Sequence, residues 1–124
     1  MINTVVINDD IHSLKKIKRM ILQKKELKLI NDYKDPIRFL EEFKKSKKEI
    51  KVIFLGTNIM GYSSLEIAKN IHQIDNKIKI IFISSNQDYA VEAFEINIFD
   101  YLIWPIEEKR FYKTINRLEE TEEI

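Results

Sequence analysis

Short apolar runs alternate with helical patterns along the chain, and this alternation constrains the fold more than any other feature. Strand-like runs are found at residues 4–7, 27–30, 52–55, 78–83 and 100–103. Other segments repeat apolar residues at the spacing of an amphipathic helix. These repeats comprise Leu14, Ile17 and Ile21; Ile37, Leu40 and Phe43; Leu65, Ala68 and Ile71; and Phe111, Ile115 and Leu118. Repeated βα units predict an α/β protein with five parallel strands and five helices.

The predicted connections place the functional crevice at one edge of the sheet. Parallel connections are right-handed, and a doubly wound sheet binds its ligands beyond the carboxyl ends of its strands. The segments at those ends are residues 8–10, 56–58, 84–86 and 104–105. We therefore expect these four segments to form one candidate site.

Composition excludes several classes of protein. The 124 residues are enough for one domain, assigned to residues 1–124, and 44% hydrophobic with 33% charged residues is ordinary for a globular protein. No apolar run approaches the ~20 residues that a membrane span requires, and no signal peptide opens the chain. The chain has no cysteine for a disulfide framework, and its net charge of +1 is unlike that of a dedicated nucleic-acid binder. We expect a cytoplasmic protein that contacts neither membranes nor, through this domain, nucleic acids.

Three stretches of the chain carry a family resemblance. They are INDDIHSLKKIKRMI at 7–21, IFLGTNIMGYSSLEIA at 53–68, and IFISSNQDYAVEAFE at 81–95 followed by FDYLIWP at 99–105. In order and spacing they resemble the receiver domain of bacterial two-component response regulators. The third is close to the subclass that carries a LytTR-type DNA-binding output domain. The resemblance implies a signalling domain rather than an enzyme, with a doubly wound, flavodoxin-like (βα)5 receiver fold and strand order 2-1-3-4-5.

Two central parts of the receiver's phosphorylation chemistry are missing. Phosphoryl transfer to a receiver needs a carboxylate nucleophile, a divalent cation and a cationic side chain that holds the product. The resemblance places the phosphoacceptor at Gly56, which has no side chain, and the loop lysine at Trp104, which cannot pair with a phosphoryl oxygen. The first acidic position after strand one holds Asn8, which carries no charge. We therefore predict a degenerate receiver that forms no stable phosphoaspartate.

Other parts of the site are present. The resemblance matches Asp9 and Asp10 to acidic positions and Ser84 to the hydroxyl that would meet the phosphoryl group. Mg²⁺ prefers near-octahedral oxygen ligands, so two carboxylates predict no resident cofactor and at most weak Mg²⁺ binding. A compatible interpretation is that Asp9 caps the first helix and Asp10 lies in its first turn. Transfer to Asp9 or Ser84 instead is disfavoured, since the sequence places no base beside Ser84.

Trp104 allows two interpretations. Its indole can plug the space left by the missing Gly56 side chain, which would lock one state, or it can lie on the surface as an anchor for a partner. The Trp104–Pro105 bond is a candidate for the cis isomer, which receivers usually have there. The resemblance matches Tyr101 to the aromatic residue that rotates with the counterpart of Ser84 on phosphorylation. Without a phosphoryl group that coupling has no input.

The main functional hypothesis is a pseudo-receiver that works by protein–protein interaction or dimerisation within a transcriptional response regulator. The predicted interaction face covers the fourth helix, fifth strand and fifth helix, and includes Tyr89, Glu92, Phe94, Tyr101, Lys109, Arg110 and Lys113. The alternative is a ligand- or metal-responsive switch that uses the residual crevice of Asn8, Asp9, Asp10, Gly56, Asn58, Ser84, Trp104 and Pro105. Direct DNA binding by this domain is the weakest hypothesis.

Overall fold

Five strands alternate with five helices in the computed structural model, which describes residues 1–46 and 49–122. In chain order the elements are β1 Ile2–Ile7, α1 Ile11–Leu22, β2 Leu27–Tyr33, α2 Pro36–Ser46, β3 Val52–Gly56, α3 Ser64–Ile74, β4 Lys79–Ser84, α4 Ala90–Glu95, β5 Asp100–Ile103 and α5 Glu108–Glu122. A short 3₁₀ turn at Ile59–Gly61 precedes α3. Every strand and helix predicted from the apolar pattern is therefore confirmed.

The strands form one parallel sheet in the order β2-β1-β3-β4-β5, which confirms the predicted doubly wound fold. β1 pairs with β2 and β3, and β4 pairs with β3 and β5. The inner strands β1, β3 and β4 read as nearly continuous apolar runs because helices cover both faces of a parallel sheet. β2 and β5 are the edge strands.

The edge strand β2 is longer than the apolar pattern predicted. It continues to Tyr33, whereas the predicted run ended at Ile30. Its pairing with β1 shifts register once and then carries Asn31 and Asp32 along the ladder. Polar residues are tolerated there because an edge strand has one open side, and a purely apolar criterion therefore misses the end of such a strand.

Helices pack on both faces of the sheet and fix its position. One core cluster lies under α2, α3 and α4 and includes Phe39 and Ala93. The other lies under α1 and α5 and includes Ile17 and Phe111, whose ring stacks on that of Phe54 at a centroid distance of 5.8 Å. Across residues 1–46 and 49–122, no helix has both the length and the apolar character needed to cross a bilayer. The two layers hold the strand ends, and hence the crevice, in place.

Candidate functional site

The carboxyl ends of β1, β3, β4 and β5 surround a cavity of about 160 Å³. Its lining consists of Asn8, Asp9, Asp10, Ser13, Gly56, Thr57, Ile83, Ser84, Ser85 and Trp104. Six of the eight residues predicted for the crevice are therefore brought together. Asn58 instead lines a neighbouring cavity of about 210 Å³, and Pro105 is not part of either lining.

The Asn8 amide lies directly against Gly56. A Cβ atom added at Gly56 would lie 3.0 Å from the Asn8 Cγ and Nδ2 atoms and 3.2 Å from its Oδ1. These distances are shorter than ordinary van der Waals contacts. Asn8 is only 6% exposed, and its Oδ1 accepts a hydrogen bond of 3.0 Å from the Asp10 N–H. Any side chain at position 56 therefore requires Asn8 to shift.

Asp9 and Asp10 both accept hydrogen bonds from backbone N–H groups. Asp10 is the N-cap of α1, and its Oδ1 accepts from the His12 N–H at 3.1 Å. Asp9 Oδ2 accepts from the Met60 N–H at 2.8 Å, which ties the end of β1 to the loop after β3. The prediction that Asp9 caps the first helix and Asp10 lies in its first turn was wrong by one residue. Asp10 has the extended backbone of an N-cap, and the helix begins at Ile11.

The donor set falls short of the oxygen shell that Mg²⁺ prefers. Within residues 1–46 and 49–122, no three His, Cys, Asp or Glu side chains are grouped so that they could hold a metal ion. Asp9 and Asp10 each direct one oxygen to a backbone hydrogen bond, whereas Mg²⁺ demands near-octahedral coordination. Weak Mg²⁺ binding at these two carboxylates stays a prediction.

A chain of hydrogen bonds runs from the end of β3 to Tyr101. The Thr57 hydroxyl donates to Ser84 Oγ at 3.1 Å, and the Asn86 N–H donates to the same oxygen at 3.4 Å. The Tyr101 hydroxyl donates to the Asn86 carbonyl oxygen at 2.9 Å. Ser84 and Tyr101 were identified from the sequence, but the Thr57 hydroxyl was not. No local pattern signals a hydroxyl pair between residues that are 27 positions apart.

Trp104 lies at the edge of the crevice with its side chain half-buried. Its backbone N–H donates to the Ser84 carbonyl oxygen at 2.7 Å. The indole packs against the core cluster under α1 and α5. The Trp104–Pro105 peptide bond is cis, as predicted. The indole thus lines the cavity and contacts the core, whereas the side chain packed against Gly56 is that of Asn8. Both interpretations of Trp104 stay predictions.

The predicted interaction face contains a buried carboxylate. Asp100 is 3% exposed, and the Arg110 guanidinium donates two hydrogen bonds to it, at 2.7 and 3.0 Å. The Thr114 hydroxyl donates to Asp100 Oδ2 at 2.6 Å, and Arg117 Nη1 donates to the same oxygen at 3.4 Å. Burial raises the pKa of Asp100, but the hydrogen bonds from Arg110 and Thr114 outweigh burial and lower the pKa below its usual value. The Arg110 guanidinium is thus engaged within the chain.

The rest of the predicted face divides into exposed and buried members. The exposed ones are Glu92, Phe94, Lys109 and Lys113. Tyr89 is half-buried, and its hydroxyl lies 3.4 Å from Asn58 Nδ2. Tyr101 is buried with its ring in the core cluster under α2, α3 and α4. Tyr101 therefore presents no exposed ring to a partner, and Tyr89 is only partly exposed.

Known regulators resemble this chain along most of its length. It is 27% identical over 115 residues to the transcriptional regulatory protein YpdB of Escherichia coli strain K12, which covers 93% of this chain and 46% of YpdB. It is 27% identical over 117 residues to the sensory transduction protein LytT of Bacillus anthracis, which covers 94% of this chain and 47% of LytT. The chain spans about half the length of these curated relatives.

The fold agrees with the sequence comparisons. The crystal structure of the response regulatory domain of protein MrkE from Klebsiella pneumoniae matches with a TM-score of 0.88 and 25% identity, covering 97% of each chain. Residues 5–116 match the family described as the response regulator receiver domain, a segment that begins within β1 and ends within α5. The chain therefore belongs to the response regulator receiver domain family.

Proposed function

We propose that this domain is a pseudo-receiver that signals through protein–protein contact or self-association, without phosphorylation, within a transcriptional response regulator. Receiver domains are signalling domains rather than enzymes. The observation that carries the proposal is Gly56, which stands where the resemblance puts the phosphoacceptor and has the Asn8 amide packed against it. The names of YpdB, a transcriptional regulatory protein, and LytT, a sensory transduction protein, support the link to transcriptional signalling.

The crevice offers no replacement for the missing chemistry. An acyl phosphate requires a carboxylate that can attack the phosphodonor and a cation that offsets the charge of the transferred group. Asp9 is bound to the Met60 N–H. Ser84 Oγ accepts hydrogen bonds from Thr57 and Asn86 rather than giving a proton to a base. The Trp104 indole lines the crevice without adding positive charge.

The edge of the sheet at β5 carries a surface suited to a second copy of the chain. α4 packs on one face of the sheet and α5 on the other, so both flank the edge strand β5. On α4, Val91 is 71% exposed and Phe94 50%. Exposed charges nearby include Glu92 and Glu95 on α4 and Lys109 and Lys113 on α5. A two-fold contact that places α4 of one copy against α5 of the other pairs these charges twice.

Sedimentation velocity and intact-mass measurement together test the proposal. We expect a dimer whose fraction rises with concentration, and we expect acetyl phosphate with Mg²⁺ to change neither that fraction nor the protein mass. Lys109→Glu with Lys113→Glu should weaken the dimer by roughly tenfold, because several exposed charge pairs of a few tenths of a kcal/mol become repulsive. Adding Glu92→Lys and Glu95→Lys to that variant should restore the dimer, because the charges on α4 and α5 are then opposite again.

A matched charge reversal on another helix serves as the control. Lys15 and Lys16 are exposed on α1, a helix that is not part of the proposed face, so Lys15→Glu with Lys16→Glu should leave the dimer unchanged. A wild-type domain that stays monomeric at all concentrations argues against self-association. A mass gain of one phosphoryl group contradicts the pseudo-receiver proposal directly.

Restoring the reaction tests whether only the named parts are missing. Gly56→Asp with Trp104→Lys supplies a nucleophile and a cation, but the new aspartate meets the Asn8 side chain. We expect this double variant to react weakly with acetyl phosphate. Adding Asn8→Asp supplies a carboxylate that Mg²⁺ can draw away from residue 56, and the triple variant should gain the phosphoryl mass. A triple variant that stays inert shows that more than these three positions has been lost.

The cavity favours a second candidate function, a switch that responds to a metal or small ligand. The cavity has a volume of about 160 Å³, and its lining includes the carboxylates of Asp9 and Asp10 as well as the Ser84 hydroxyl. A ligand that binds only the folded state raises the melting temperature, so a screen with divalent cations and small polar molecules is the direct test. If a ligand binds at these carboxylates, Asp9→Asn with Asp10→Asn should abolish the rise in melting temperature that it causes. A melting temperature that no cation or ligand changes removes this candidate.

A further inference from the structure

Tyr101 is held in a buried position by contacts at both ends of its side chain. Only 7% of the residue is exposed, and its ring lies 6.0 Å from the Phe82 ring, centroid to centroid. Its hydroxyl donates to the Asn86 carbonyl oxygen at 2.9 Å. A buried phenol needs such a partner. The buried position of the Tyr101 side chain is therefore favourable only while the Asn86 carbonyl oxygen lies within reach of its hydroxyl.

The Asn86 backbone takes its position in turn from Ser84. The Asn86 N–H donates to Ser84 Oγ, and the Asn86 side chain accepts from the Asp88 N–H at 3.0 Å, which shapes the turn that leads into α4. The residue whose carbonyl oxygen accepts from Tyr101 is thus linked to the Ser84 hydroxyl through its own N–H. The Ser84 hydroxyl is therefore linked directly to the loop between β4 and α4.

Thr57 supplies a hydrogen-bond donor to the Ser84 hydroxyl. The Thr57 N–H donates to the Ile83 carbonyl oxygen at 3.1 Å, which holds the Thr57 backbone beside β4. From there its hydroxyl reaches Ser84 Oγ at 3.1 Å. Ser84 is only 4% exposed, so water cannot fully replace a lost partner, and an unpaired buried hydroxyl is costly.

Neighbouring contacts brace the same two loops. Asn58 Nδ2 donates to the Tyr89 hydroxyl at 3.4 Å, which links the loop after β3 to the start of α4. The Ser64 hydroxyl donates to the Gly56 carbonyl oxygen at 2.6 Å, which fixes the end of β3 against the start of α3. Thr57 lies between these two braces and so has a defined position from which to hold Ser84.

We propose that the Thr57 hydroxyl is the internal partner that Ser84 uses in place of a phosphoryl group, and that it holds Tyr101 permanently in the buried position. Thr57 is a positioning residue that acts through Ser84 and Asn86. The inference rests on the proposed function, because a permanently set state matters only in a domain that signals without phosphorylation. It goes further by naming the side chain that sets the state of the interaction face.

Fluorine NMR of protein labelled with 3-fluorotyrosine tests this inference. The chain has five tyrosines, and Tyr101→Phe identifies the Tyr101 resonance. In the wild type we expect that resonance to show the small H₂O-to-D₂O shift of a buried ring. Thr57→Val keeps the shape of the side chain and removes its hydroxyl. The exposed population of Tyr101 should then rise by roughly three- to tenfold, as expected for the loss of one neutral hydrogen bond.

Three further variants separate positioning from a general effect on structure. Thr57→Ser keeps the hydroxyl and should retain the wild-type resonance. Thr4→Val makes the same change at a buried threonine whose hydroxyl donates to the Ile2 carbonyl oxygen, and it should leave Tyr101 unmoved. Ser84→Ala breaks the series of hydrogen bonds at its next link and should move the Tyr101 resonance as Thr57→Val does. If Thr57→Val does not fold, Ser84→Ala is the variant that tests the inference.

Several outcomes would overturn the inference. They are an unmoved Tyr101 resonance in folded Thr57→Val or Ser84→Ala, an equal movement in Thr4→Val, and a failure of both Thr57→Val and Ser84→Ala to fold. The last would make these hydroxyls general structural supports rather than positioning groups. A phosphorylated wild-type protein overturns the proposed function whatever Tyr101 does. If the wild-type protein is not phosphorylated and the Tyr101 resonance is unmoved in folded Thr57→Val, only this inference is overturned.

Discussion

The two polar regions of the domain lie at opposite ends of the strands and are held by different kinds of contact. In the crevice at the carboxyl ends, Thr57 donates to Ser84 and the Asp10 N–H donates to Asn8, and both are bonds between neutral groups. The exposed carboxylates of Asp9 and Asp10 accept from backbone N–H groups there. At the amino end of β5, Asp100 is buried and receives charge-assisted hydrogen bonds from Arg110. Such bonds are roughly twice as strong as neutral ones. We therefore expect the charged cluster to contribute more to the free energy of unfolding than the contacts in the crevice do.

Removal of the buried Asp100 carboxylate should cause the largest loss in the free energy of unfolding. Asp100→Ala takes the shared acceptor away from Arg110, Thr114 and Arg117, and we expect the free energy of unfolding to fall by about 2–3 kcal/mol. The cost stays below that of a fully buried pair because the Arg110 and Arg117 side chains are 42% and 49% exposed and can return to water. Urea unfolding measures the change.

An exposed aspartate provides the control for that substitution. Asp88 is exposed in the loop before α4, and Asp88→Ala should change the free energy of unfolding by less than about 0.5 kcal/mol. If Asp100→Ala costs no more than this control, the charged cluster does not support the fold, and the contrast between the two regions is lost.

The acid dependence of stability should depend on the same carboxylate. The pKa of Asp100 is lowered from its ordinary value of 3.8. Asp100 therefore contributes its full stabilisation above that value, and this contribution is lost as the pH falls through the lower pKa of the folded state. We expect the difference in unfolding free energy between wild type and Asp100→Asn to be constant near neutral pH and to shrink below about pH 4. A difference that stays constant down to pH 2 contradicts the lowered pKa.

A methyl group at position 56 tests how tightly the crevice is packed. In Gly56→Ala the new Cβ lies 3.0 Å from the Asn8 side chain, and we expect a loss of about 1 kcal/mol because Asn8 must shift. Asn8→Ala removes the obstacle, so the double variant should be more stable than the sum of the two single changes predicts. Urea unfolding of the four proteins measures this coupling.

The second glycine of the chain is a matched control with a different physical cause. Gly61 has φ of +79° and nothing within 4 Å of an added Cβ. Gly61→Ala should also cost about 1 kcal/mol, but through the left-handed backbone conformation. Asn8→Ala should not relieve that cost. If it relieves both glycine substitutions equally, the contact between Asn8 and position 56 is not the cause.

Much of the fold was predictable because apolar periodicity reports burial directly. Leu14, Ile17 and Ile21 recur at helical spacing and are buried in the cluster under α1 and α5. The polar end of β2 was missed because Asn31 and Asp32 belong to an edge strand, where pairing continues without burial.

The crevice was predictable in position but not in detail. Topology alone brings the carboxyl ends of β1 and β3 together, so the meeting of Asn8 and Gly56 follows from the strand order. The separate roles of Asp9 and Asp10 depend on which side chain turns toward the loop after β3 and which toward the helix. The Thr57 contact depends on loop geometry that no periodicity encodes.

Substitution of Asp9 should cause the smallest change in the free energy of unfolding, together with a local change in amide hydrogen exchange. The carboxylate is exposed and anchors the Met60 N–H, in a loop where Asn58 and Met60 have left-handed φ values of 55° and 52°. Asp9→Ala should lower the free energy of unfolding by only about 0.5 kcal/mol, since water can replace the acceptor. Amide hydrogen exchange should nevertheless become several-fold faster at residues 57–61, where an unfavourable backbone loses its anchor.

Asp10→Ala is the matched variant because Asp10 makes the equivalent contact to His12 at the start of α1. It should speed exchange in the first turn of α1 and leave residues 57–61 unchanged. Exchange that rises at both places in both variants would mean that the two carboxylates hold the crevice as one unit. Exchange that separates as expected would show that each strand-end carboxylate anchors its own segment, so that the crevice can lose one contact without disturbing the next.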